Sequence, residues 1–148
     1  MSAVSELVTL LESKIEELLP SYKPMPFMYL PELNERLQVK NYAIRVGSAS
    51  TTEGTNRAVT FDHSISIDLS QRFEPKKSQG DKDLRDKISV ISNDIQTLYK
   101  ELYRRPGALA SATLMVIAPL DLSEPTVDNE NNLVSLTLTL SVKYRVLN

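Results

Sequence analysis

The residues able to carry chemistry are few and scattered. His63 is the only histidine, and an imidazole that titrates near neutrality is the usual first candidate for a general base or a lone metal ligand. The acids beside it are Asp62 and Asp68. In an extended chain both have the opposite parity to His63 and project to the other face, so they cannot orient it. His63 instead continues the series Val59, Phe61, Ile65, Ile67 and Leu69, which predicts a core or edge histidine and not a catalytic one. No serine occupies a nucleophile elbow, and the absence of cysteine rules out a Cys–His pair. Four glycines, scattered at turns, form no phosphate-binding loop. The run D-N-E-N-N at 128–132 has oxygen ligands of the type calcium uses, but without the full loop pattern it reads as an ordinary acidic loop. Lys76–Lys77 and Arg104–Arg105 are too short for a nucleic-acid stripe. Tyr99 and Tyr103, one helical turn apart, read as packing residues and not as a base-stacking platform. The expectation is a non-enzyme with no catalytic residue, no cofactor and no metal.

The elements that would have to position any site are clearer. Residues 57–70 alternate strictly, with Val59, Phe61, His63, Ile65, Ile67 and Leu69 on one parity and Thr60, Asp62, Ser64, Ser66, Asp68 and Ser70 on the other. A period of two over that length predicts a long strand with one face on a core. A slip of one residue would bury the polar set, so the register is strongly specified. Residues 133–147 repeat the device, with Val134, Leu136, Leu138, Leu140, Val142, Tyr144 and Val146 alternating with serines, threonines, Lys143 and Arg145. Two segments have helical spacing instead. Val4, Leu7, Val8, Leu11, Ile15, Leu18 and Leu19 predict a helix over 2–19, with Ser2 as N-cap and Pro20 as the stop. Leu84, Ile88, Ile91, Ile95, Leu98 and Leu102 predict a second over 81–104, which Pro106–Gly107 ends.

The remaining segments are less regular. Prolines 20, 24, 26 and 31 predict an extended crossing that lies on the core edge, or an exposed clamp if Met25, Phe27, Met28, Tyr29 and Leu30 face outward. A strand is expected over 36–47, its phase breaking near Lys40–Asn41, as at a bulge or in a strand that starts late, and its end set by Gly47. A long, mobile, polar hairpin loop follows over 48–56. Residues 74–80 read as an exposed joint. Residues 109–118 are apolar on both parities, which predicts an interior strand or one buried on both faces. Residues 119–132 read as an acidic loop. The fold class expected is therefore α+β: one two-layer domain over 1–148, in the order α-β-β-α-β-β, with a mainly antiparallel four-stranded sheet and both helices on one face.

The totals agree with a protein that works by shape. A chain of 148 residues can bury a full core without a staple. A net charge of −2, from 17 basic and 19 acidic residues, argues against a strong nucleic-acid or membrane-surface binder. The opening apolar residues are interrupted by Glu and preceded by no Lys or Arg, unlike a signal peptide, and no apolar run is long enough for a bilayer.

On element order the chain resembles tail-terminator, or tail-completion, proteins of long-tailed bacteriophages. The resemblance rests on the amphipathic opening helix Val4–Leu19, the long hairpin Leu37–Leu69 with its polar tip Ser48–Asn56, the second helix Leu84–Leu102, and the last strand ending in V-K-Y-R-V. It implies a virion protein that caps the tail tube as a hexameric ring, ends tube growth and presents a head–tail joining surface. Its implied partners are copies of itself, the tail tube protein and head–tail connector proteins. Its implied location is the head-proximal end of the tail, with assembly in the host cytoplasm. The interface residues expected are Phe27, Tyr29, Thr51, Glu53 and Arg57. A neck connector or stopper is the neighbouring reading. A ligand-binding module that uses the Ser/Thr-rich sheet face, and a small enzyme built on His63, are the alternatives from other classes.

Overall fold

The computed structural model describes residues 3–25, 40–54, 58–73, 82–104, 113–128 and 132–147. Eight elements follow in order: α1 (Ala3–Leu18), β1 (Lys23–Pro24), β2 (Lys40–Gly54), β3 (Ala58–Arg72), α2 (Lys82–Arg104), β4 (Thr113–Leu122), β5 (Thr126–Asp128) and β6 (Leu133–Leu147). The α+β class is as expected. The sheet is mainly antiparallel, as expected, but it is not four-stranded. It has six strands in the order β1-β2-β3-β6-β4, with β5 also on β6, and it is mixed because β1 runs parallel to β2.

Both helices end and pack as their spacing requires. On α1, Leu7, Leu11 and Ile15 are wholly buried; on α2, Ile91, Ile95 and Leu98 are too. Leu84 and Ile88, nearer the start of α2, are only partly covered. The helix α1 stops at Leu18, where Pro20 disfavours helical backbone in the residue before it. Both helices share one core cluster with a single face of the sheet. That face is built by the apolar parity of β3 (Ile65, Ile67, Leu69) and of β6 (Val134 to Tyr144), joined by Tyr42 and Ile44 of β2 and Ile117 of β4. The strands β3 and β6 lie side by side at the centre, paired without interruption from Ala58↔Leu147 to Arg72↔Leu133. The two cleanest alternations in the chain are therefore the two central strands.

The peripheral strands depart from expectation, each for an identifiable reason. Gly47 does not end β2, and residues 48–54 are not a loop. The strand continues to Gly54, opposite Val59, through two register shifts, Val46/Ala49 and Thr51/Glu53. A Cβ at Gly47 would meet the Ser64 carbonyl oxygen at 3.0 Å, so the glycine permits a close approach inside the strand rather than a turn. Polar Ser and Thr residues stay extended there because β3 supplies backbone partners. From Lys40, where the described strand begins, to Val46 the register is unbroken; residues 36–39, on the other side of the expected phase break, lie outside the described residues.

The strand β4 sits at the sheet edge and not in its interior. It runs on to Leu122, and β5 follows, so residues 119–122 and 126–128 of the expected acidic loop 119–132 are strand. A register shift between Leu114 and Val116 puts Leu114 opposite Tyr144 and Ile117 opposite Val142. Two residues of different parity thus take core-side register positions, which accounts for the apolar character of both parities. Pro119 is tolerated because the strand is an edge. Between β4 and β5, the Ser123 amide donates to the Thr137 carbonyl and the Thr137 amide donates to Ser123 Oγ, both at 2.9 Å. One serine thereby carries the ladder across the gap. The proline-rich crossing contributes β1, and the Met25 amide donates to the Tyr42 carbonyl at 2.8 Å beyond it. The rest of that crossing (26–35), the joint 74–80, Ser2 and Pro106–Gly107 lie outside the described residues.

Candidate functional site: the hydroxyl-rich sheet face

The face away from the helices is built by the other parity of the same strands. Asp62, Ser64, Ser66 and Asp68 of β3 lie beside Thr137, Thr139, Ser141 and Lys143 of β6. Two carboxylates organise it. Asp68 receives Arg45 from β2, with Nε 2.7 Å from Oδ2 and Nη2 donating to Oδ1 at 3.0 Å. Thr137 Oγ1 donates to the same Oδ1 at 2.6 Å. The guanidinium makes one hydrogen bond, from Nη2, and a close ionic approach at Nε, which is itself buried without a hydrogen-bond partner among the described residues. The Asp68 side chain is 10% exposed and that of Arg45 38%, so the pair bridges a covered and a wet region.

Six residues along β3, Asp62 Oδ1 accepts from Ser141 Oγ at 2.6 Å. Ser48, Ser50, Asp62, Ser64, Leu120 and Ser141 line a cleft of about 280 Å³. Its residues come from four strands that antiparallel pairing brings into one row. The cleft holds one carboxylate, four serine hydroxyls and one leucine, and no cation among its lining residues. It can accept hydrogen bonds from a donor-rich or cationic group. Toward Arg45 the face is closed: Asn41, Ala43, Asp68 and Ser70 are all buried.

A second polar cluster lies on the helix side. Tyr22 OH donates to Asp94 Oδ2 of α2 at 2.7 Å, and Gln71 Nε2 of β3 donates to Tyr22 OH at 2.6 Å. Burial, and then the adjacent Asp94, push the Tyr22 hydroxyl far above its ordinary value. Lys40 Nζ lies 5.4 Å from the Tyr22 ring centroid. Tyr42 OH donates to Glu16 Oε1 at 3.3 Å, and burial, reinforced by Glu16 and Glu12, raises its pKa to about 12. These contacts tie α1, the chain after it and α2 to the sheet, as structural anchors do.

His63 stacks on Tyr144 at a centroid distance of 5.5 Å, and Phe61 stacks on the same ring at 5.7 Å. Partial burial lowers the histidine's pKa, with neighbouring Asp62 opposing. Neither Asp62 nor Asp68 shares its face. Among the described residues, Nδ1 of His63 is buried without a hydrogen-bond partner, so no acid is placed to orient the ring.

Of the expected interface residues, Thr51 is exposed near the end of β2, opposite Phe61. Glu53 lies farther along β2, opposite Thr60. Phe27, Tyr29 and Arg57 lie outside the described residues. Thr51 does not line the cleft. Sequence reasoning missed Arg45, Ser48, Ser50 and the pairing of Asp62 with Ser141. The polarity of Arg45 and its parity opposite Tyr42 and Ile44 were visible, but the β2–β3 register that brings it to Asp68 was not.

Among the described residues no group of three or more His, Asp or Glu side chains could hold a metal ion, and no helix is long and apolar enough to cross a membrane. No protein-family model matches the chain, and no curated protein shows significant similarity to it.

Proposed function

We propose that this chain is a self-associating structural protein of a bacteriophage tail, a terminator that caps the tail tube as a hexameric ring and forms the head–tail joining surface. The observation that carries the reading is the geometry of the sheet. Its main strands are of 15 residues, against roughly 5–6 in ordinary strands. Among the described residues, β1 covers only Asn41 and Tyr42 of the outer edge of β2, and no strand covers the outer edge of β4. Long uncovered edges are a liability for a lone subunit and an asset for one that joins copies of itself. A ring needs two different patches that meet head to tail, and such a sheet offers two different edges. The element order agrees with the terminator resemblance. A catalytic reading through His63 lacks support, since Asp62 and Asp68 lie on the other face of β3.

The test is assembly in a virion system that encodes this chain. Tails made without it should vary in length or fail to join heads, and supplying the protein should restore both. Tails of normal length that join heads normally in its absence refute the terminator reading. Tails of normal length that fail only in joining heads would favour the neighbouring connector reading.

A further inference from the structure

The two carboxylates of the polar face are built alike and completed differently. Asp68 and Asp62 stand on the same face of β3, and each accepts a 2.6 Å hydrogen bond from a β6 hydroxyl, Thr137 or Ser141. At Asp68 the strand β2 supplies Arg45, whose guanidinium pairs with the carboxylate, Nη2 donating to Oδ1 and Nε 2.7 Å from Oδ2. At Asp62 the strand β2 supplies Ser48 and Ser50 instead, and a cleft of about 280 Å³ stands where a guanidinium would lie. Among the described residues Asp62 forms no ion pair. The cleft is large enough to take the end of a long side chain.

The same face carries the complementary charge. Arg145 is exposed on β6, opposite Thr60, and among the described residues has no ion pair. It lies two residues from Lys143, the residue opposite Asp62, hence about 7 Å along the strand. On its own strand it is displaced past the cleft. Both groups stand on the polar face, so a second copy that packs its polar face against this one, offset along the strands, would bring the two together.

We propose that the Asp62 cleft is a self-association subsite that receives the Arg145 guanidinium of a second copy of this chain, repeating between subunits the arrangement that Arg45 and Asp68 make within one. This rests on the self-association reading above and adds to its edge contacts one made through the polar sheet face. Guanidinium suits the site better than ammonium, because its planar fork engages one carboxylate oxygen and the surrounding serine hydroxyls together. Lys143, beside Asp62 on the same face, competes weakly as a flexible point charge.

The experiment is sedimentation velocity of the full chain over a concentration series at low and high salt, with near-UV circular dichroism confirming that each variant is folded. Wild-type chain should self-associate, less at high salt. Asp62→Asn and Arg145→Gln, which keep side-chain shape or length, should each weaken association about tenfold or more, as truncating one partner of an interfacial charge pair does. Lys143→Gln should leave association intact. The exchange Asp62→Arg with Arg145→Asp should recover association that either change alone removes. If folded Asp62→Asn and Arg145→Gln associate like wild type, this contact is overturned while ring formation stands. A wild-type chain that stays monomeric throughout, equal losses in Lys143→Gln and Arg145→Gln, or no recovery in the exchange also overturn it. The tail-length assay then judges the terminator reading by itself.

Discussion

Replacing Ile95 by alanine tests the two-layer architecture most directly. Ile95 is 0% exposed in the middle of α2, one turn from Ile91 and Leu98, both also fully buried. The change removes three carbons, worth roughly 2.4 kcal/mol at about 0.8 kcal/mol per buried CH₂. The space left behind adds a cavity term, and buried Ile→Ala changes span about 2–5 kcal/mol. Alanine improves helix propensity slightly and returns about half a kcal/mol. A net loss of about 3 kcal/mol is expected. For a chain of this size each kcal/mol moves Tm by roughly 2–4 °C, so the midpoint should fall by about 6–12 °C. Urea titration at fixed pH measures the loss, with the slope checked so that it reads stability and not a change in the denatured ensemble. Val90→Ala is the internal control, since Val90 is on the same helix and 38% exposed; it should change stability by less than about 0.5 kcal/mol. An Ile95→Ala loss below about 0.5 kcal/mol, or one equal to that of Val90→Ala, would show that this seam does not dock on the sheet.

Three further outcomes follow from the polar contacts and a fourth from His63. Asp68→Ala strips the acceptor from Thr137 and Arg45 and should cost about 1–3 kcal/mol, with the ion-pair share small because Arg45 is partly solvated; an unchanged urea midpoint would contradict the buried network. Tyr22→Phe should cost a similar amount, about 1–3 kcal/mol, by leaving Asp94 and Gln71 short of a partner, and a neutral result would assign that cluster no stabilising role. Spectrophotometric titration should find Tyr42 ionising near pH 12 in the native state; because its folded pKa is raised, the stability it contributes is complete below about pH 10 and declines as pH climbs from about 10 toward 12, and a tyrosine at this site with a normal pKa would refute the burial. His63 has a folded pKa lowered by burial, so its contribution is present above about pH 6.5 and is lost as pH falls below it; His63→Gln should flatten that part of the stability profile and leave assembly intact, and a folded variant that loses all function would overturn the non-catalytic assignment.

Periodicity determined the parts of this protein that a local rule can specify. The alternations through Ile65, Ile67 and Leu69 and through Val134, Leu136 and Leu138 required strands with one buried face, and a one-residue slip in either would have buried hydroxyls or carboxylates. The spacing of Leu7–Leu11–Ile15 and Ile91–Ile95–Leu98 required helices that bury one stripe. The core, the helix positions and the two central strands were therefore legible. Where a strand's persistence depends on its partner, the local signal failed. Ser48 to Gly54 has loop composition and is strand because β3 offers backbone partners along its length. Leu120 and Asp121 are strand because β6 does the same at the other edge. The candidate site belongs to this second kind. Asp68 and Arg45 are 23 residues apart, and Asp62 and Ser141 are 79 apart. Only strand order and register put them within hydrogen-bond reach, and no spacing along the chain encodes a cleft whose walls come from four different strands.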